Sequence, residues 1–76
     1  MLRLEVTVNG KLEHWEEYQP ERIATNADPL GEQRERMRAD GWVQTDYRSP
    51  DADIVEILYK RDGEAASVTL RRLHGS

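Results

Sequence analysis

The stretch IVEILYKRDGEAASVTLRR, residues 54–72, decides the fold. Asp62-Gly63 in its middle is the dipeptide that a tight type I′ hairpin asks for, because both central residues of that turn need positive φ. Counting outward sets Tyr59 opposite Ala66, Ile57 opposite Val68 and Val55 opposite Leu70, and strand alternation turns all six to one face. The segment therefore reads as two antiparallel strands that share a buried side.

The first residues repeat that logic. Leu2, Leu4, Val6 and Val8 alternate with Arg3, Glu5 and Thr7, and Asn9-Gly10 then turns the chain back from Lys11 towards Gln19. In unbroken register Val8 pairs with Lys11, Val6 with Glu13 and Leu4 with Trp15, which makes Trp15 a core residue. On the outer face Arg3 meets Glu16 and Glu5 meets His14, as opposite charges that support the pairing.

Between the hairpins lies one helix. Pro20 ends the second strand, Asp28-Pro29 supplies an N-cap and a first helical position, and Gly41 stops the helix in the left-handed conformation. That ending places Met37 against Trp42 in the contact of a Schellman motif. Helix 29–40 offers Leu30, Met37 and Ala39 as apolar positions with Arg34 interrupting the stripe, so Ile23, Trp42 and the aliphatic stem of Arg34 are expected to widen the packing face. Val43, Thr45 and Tyr47 alternate as a further strand, with a turn expected at Ser49-Pro50-Asp51. A four-residue loop there sets Val43 and Tyr47 beside Ile54 and Leu58, and a five-residue loop sends them to the helix face.

The expected order is ββαβββ, an α+β fold with strands near 2–8, 11–18, 42–47, 54–61 and 65–72 and one helix on one face of a mostly antiparallel sheet. A chain of 76 residues is short for two cores, so residues 1–76 form one domain whose last few residues fray. Residues 30–61 resemble a group of small uncharacterised bacterial domains in which a helix closes on Gly-Trp, a strand follows and a later strand ends in Lys-Arg. Those residues are here Asp40-Gly41-Trp42 and Tyr59-Lys60-Arg61. The resemblance implies no activity.

Composition narrows the function classes. There is no Cys for a disulfide or a thiolate zinc site, and two His cannot fill a four-ligand shell, so no metal or cofactor is expected. The N-terminus lacks the apolar core of a signal peptide and no run approaches a membrane span, which makes the cytoplasm the expected location. A net charge of -4 disfavours non-specific attraction to nucleic acid or anionic lipid. The serines at 49, 67 and 76 and the histidines at 14 and 74 show no spacing that selects a catalytic pair, and so small a domain has little interior in which to shift a carboxylate pKa.

The reading that remains is a non-enzymatic protein-binding module: a small regulator, inhibitor or accessory subunit, of a kind common among phage and mobile-element proteins, with self-association as one mode. Its candidate surface is Ile54 and Leu58, which face away from Val55, Ile57 and Tyr59, together with the acidic and aromatic run Trp15, Glu16, Glu17 and Tyr18. A nucleic-acid-binding module using Arg34, Arg38, Arg71 and Arg72 is the alternative. Against it, Glu32 and Asp40 stand four residues either side of Arg36, a spacing that suggests surface ion pairs.

Overall fold

The structure is a computed structural model that describes residues 1–19 and 29–73. Pro20, Ile23, Asp28, His74 and Ser76 lie outside the described residues. The elements are β1 (Leu2–Val8), β2 (Lys11–Tyr18), α1 (Pro29–Ala39), β3 (Val43–Asp51), β4 (Ile54–Arg61) and β5 (Glu64–Arg72). The fold is α+β in the expected order, with all five strands antiparallel in one sheet of spatial order β2-β1-β5-β4-β3.

Both hairpins turn on the residues that the turn chemistry selects. Asn9 and Gly10 have φ of 53° and 80°, and Asp62 and Gly63 have 46° and 82°, so all four sit in the left-handed region. Tyr59 pairs with Ala66, Ile57 with Val68 and Val55 with Leu70, as the sequence requires. The two hairpins join where β1 meets β5. Asn9 extends that junction by one step beyond the strand, its N–H donating to the Ala65 carbonyl at 2.7 Å and its side-chain oxygen accepting from the Ala65 N–H at 3.1 Å.

The core lies between α1 and one face of the sheet: Leu4, Val6, Ile57, Tyr59, Ala66 and Val68 from the strands, with Met37 and Trp42 from the helix and its end. Leu4, Ile57 and Val68 are fully buried, and burying a side chain of that size contributes about 1.5–3 kcal/mol. The helix contributes Leu30, Gln33 and Met37, at helical spacing. Gln33, 8% exposed, fills the stripe where the stem of Arg34 was expected, and Ala39 points to solvent.

The helix closes as a Schellman motif. Trp42 N–H donates to the Met37 carbonyl at 3.0 Å, Gly41 N–H donates to the Arg38 carbonyl at 3.1 Å, and Gly41 has φ of 85°. Arg61 completes the closure, donating to the Asp40 carbonyl at 2.8 Å while its guanidinium stacks 4.3 Å from the Trp42 ring centroid. The Gly-Trp and Lys-Arg pairs of the sequence thus meet, and the arginine satisfies a carbonyl that the helix end leaves over.

Two expectations about register fail for one kind of reason, irregular pairing of the edge strands, with one register shift in β2 and two in β3. In β1–β2 the pairing shifts between Val6 and Thr7, leaving Glu13 extra, so Leu4 faces Glu16, Val6 faces His14 and Glu5 faces Trp15. Trp15 accordingly leaves the core and stands 52% exposed on the outer face. In β3–β4 the register shifts twice: between Arg48 and Asp51, which puts Tyr47 opposite Ile57 on the helix face, and again at Thr45, which leaves Val43 opposite Lys60 on the outer face. Neither expected loop length describes this strand. It also runs through Ser49 and Pro50 to Asp51, and the turn is Ala52-Asp53. An edge strand accommodates Pro50 because no neighbour needs its missing N–H on the open side.

Candidate interaction surface

Since α1 packs on the Leu4, Val6, Ile57 and Val68 side, the other side of the sheet carries no element among the described residues. Register builds that open face in three rows across the strands. They run Leu12, Thr7, Ser67, Leu58, Asp46; then Trp15, Glu5, Thr69, Glu56, Arg48; then Glu17, Arg3, Arg71, Ile54, Asp51. Ile54 and Leu58 therefore do lie opposite the core, half-buried among strand neighbours.

Charge occupies the middle of this surface. Glu5 lies 3.7 Å from Arg3 and 3.8 Å from Arg71, and the Arg3 guanidinium sits 4.8 Å from the centroid of the Trp15 ring. The Arg3 Nε is buried with no hydrogen-bond partner, so its approach to Glu5 is a Coulomb contact and not a directed bond. Stacking of this kind contributes about 0.5–1 kcal/mol at an exposed site. Apolar groups flank the charged middle: Trp15 and Leu12, 44% exposed, on β2, and Ile54 and Leu58 on β4. Leu58 borders a shallow depression of about 240 Å3 with Thr7, Gly10, Ala65 and Ser67 on its walls.

Strand alternation divides the acidic and aromatic run, and the bulge at Glu13 decides which half takes which face. Trp15 and Glu17 join Ile54 and Leu58 on the open face, whereas Glu16 and Tyr18 turn to the helix side. There Glu16 accepts a hydrogen bond from the Tyr18 hydroxyl and lies 3.2 Å from His14 Nε2. One cue in the sequence bears on this: Trp15 and Tyr18 are three apart, and a strand sends residues three apart to opposite faces. Leu12, opposite Thr7, is a further surface residue of this face, and the Val8–Lys11 pairing at the Asn9-Gly10 turn is the signal in the sequence that places it there.

The arginines of the alternative reading do not converge. Arg34 and Arg38 line a cleft of about 570 Å3 between α1 and β3, with Glu35, Trp42, Gln44 and Tyr59. Arg34 reaches Gln44 at 3.5 Å, and burial pushes the Tyr59 phenol up while the nearby Arg34 opposes the rise. Arg71 is on the open face beside Glu5, and Arg72 is opposite Leu2 at the far end of β5 from the Asp62-Gly63 turn. The ion pairs suggested for Arg36 with Glu32 and Asp40 do not form among the described residues.

No protein-family model, no curated protein and no solved structure matches this chain. Among the described residues no helix is long and apolar enough to cross a membrane.

Proposed function

We propose that the protein is a non-enzymatic protein-binding module, a small cytoplasmic regulator, inhibitor or accessory subunit, whose contact surface is the open face of its sheet. The observation that carries this reading is that Leu12, Trp15, Ile54 and Leu58 stand on the face that no helix covers among the described residues, around the Arg3–Glu5–Arg71 cluster. Apolar and aromatic groups among arginine and carboxylate are the composition in which interfaces place their anchors, and Trp and Arg are the residue types that most often dominate binding energy. The ion pairs fix orientation and disfavour partners of the wrong charge pattern.

The test compares the full chain with two surface variants, Ile54→Ser/Leu58→Ser and Trp15→Ser, by quantitative capture from native lysate alongside far-UV circular dichroism. The expected result is a protein retained by the wild type and lost with both folded variants. Retention unchanged in both sinks the proposal. So does tight binding to duplex DNA or structured RNA that falls steeply with salt, the signature of phosphate contacts.

A further inference from the structure

The edge strand β3 has an internal symmetry that the open-face reading does not use. All nine of its residues are exposed, Val43 at 64% and Tyr47 at 54%, and it is the last strand of the sheet. The direction of its backbone groups follows from two contacts with β4. The Thr45 hydroxyl donates to the Leu58 carbonyl at 3.3 Å and the Ser49 hydroxyl donates to the Ile54 carbonyl at 3.0 Å, so Leu58 and Ile54 aim their carbonyls at β3. Backbone direction alternates along a strand, hence Ile57 aims at β5, and Tyr47 opposite it turns its own N–H and C=O out of the sheet.

That outward N–H is occupied. It donates to Asp46 Oδ1 at 2.8 Å, while the other oxygen of the same carboxylate accepts from Arg48 Nε at 2.9 Å. Asp46 and Arg48 share the open face on either side of Tyr47. If a second β3 is laid antiparallel against the first with Tyr47 opposite Tyr47, then Asp46 falls opposite Arg48 of the other copy and Arg48 opposite its Asp46. The two Tyr47 residues exchange their N–H···O=C bonds, and each Asp46 leaves the Tyr47 N–H to take the facing arginine. One-residue slips in either direction break this match, because charges of unlike sign no longer oppose. The bulge at Thr45 and the Pro50 ring limit the regular pairing to the few residues around Tyr47.

We propose that β3 is a self-association edge, through which a second copy of this chain adds antiparallel about Tyr47, with Asp46–Arg48 pairs on both sides of the twofold axis. In the separate chain Asp46 holds both groups that the second copy takes up. This proposal concerns the edge of the sheet and stands or falls apart from the open-face proposal.

The experiment is sedimentation equilibrium of the full chain over a concentration series. Wild type is expected to show reversible dimerisation, and Asp46→Arg or Arg48→Asp alone, each setting like charges opposite one another, is expected to weaken it about tenfold or more. Two results are specific to this register: Asp46→Arg mixed with Arg48→Asp forms a heterodimer, and the double variant Asp46→Arg/Arg48→Asp recovers homodimerisation. A wild type that stays monomeric at millimolar concentration overturns the proposal. Single reversals without effect, or a mixture of folded variants that stays monomeric, overturn it equally. A dimer insensitive to the reversals but lost in Ile54→Ser/Leu58→Ser assigns self-association to the open face and not to this edge.

Discussion

Replacing Gly41 by alanine isolates the backbone energy of the helix end. Gly41 holds φ at 85°, and a Cβ built there meets only the Arg61 Cδ, at an ordinary 3.8 Å. No clash therefore adds to the backbone term. An L-residue in the left-handed region costs about 1–2 kcal/mol, and the smaller conformational freedom of unfolded alanine returns somewhat less than 1 kcal/mol, so the net loss should be about 1 kcal/mol. For a domain of this size that lowers the melting temperature by about 4–8 °C. Gly41→Asn should lose less, because asparagine tolerates the same region. Thermal denaturation followed by circular dichroism reads all three proteins. An unchanged melting temperature for Gly41→Ala refutes the argument that the Schellman ending depends on this glycine. A loss of several kcal/mol refutes the claim that the added methyl has room.

The two tryptophans should separate in solution: acrylamide should quench the emission of the Trp42→Phe protein, which reports Trp15, far more than that of Trp15→Phe, and equal quenching contradicts the bulge at Glu13. Arg61→Ala removes the Trp42 stack and the donor to the Asp40 carbonyl together, and urea denaturation should show a loss of about 1–3 kcal/mol; no loss means that water serves the carbonyl equally well. The Arg48 hydrogen bond first, and the Tyr47 N–H second, hold the Asp46 carboxyl below its ordinary value of 3.8. A folded-state pKa lower than the unfolded one favours the native state above 3.8, and that contribution disappears as pH falls through the lowered value. Carboxyl NMR titration should find Asp46 below 3.8, and Arg48→Ala should raise it; no change on removing the arginine rejects that cause.

What the sequence by itself determined is everything carried by local backbone chemistry. Asn9-Gly10 and Asp62-Gly63 admit positive φ at consecutive positions, so they dictate two tight hairpins before any tertiary contact forms. Gly41 followed by Trp42, with Met37 at the matching place before them, dictates the helix end for the same kind of reason. Ile54 and Leu58 could be placed opposite the core because β4 and β5 pair without interruption, and alternation then carries facing from residue to residue. Tertiary structure decided what alternation cannot carry. A single bulged residue reverses the face of everything beyond it, and whether a strand bulges depends on which side chains the sheet offers as neighbours. Trp15 leaves the core because the Glu13 bulge turns it to the outer face, where it stacks on an arginine, Arg3, that stands beside Glu5 and Arg71 through the β1–β5 pairing. Likewise the meeting of Arg61 with Trp42 and the Asp40 carbonyl joins residues far apart in sequence, as does the outward turn of the Tyr47 N–H set by β4. Those relations arise between elements, so their physical cause exists only once the sheet has assembled.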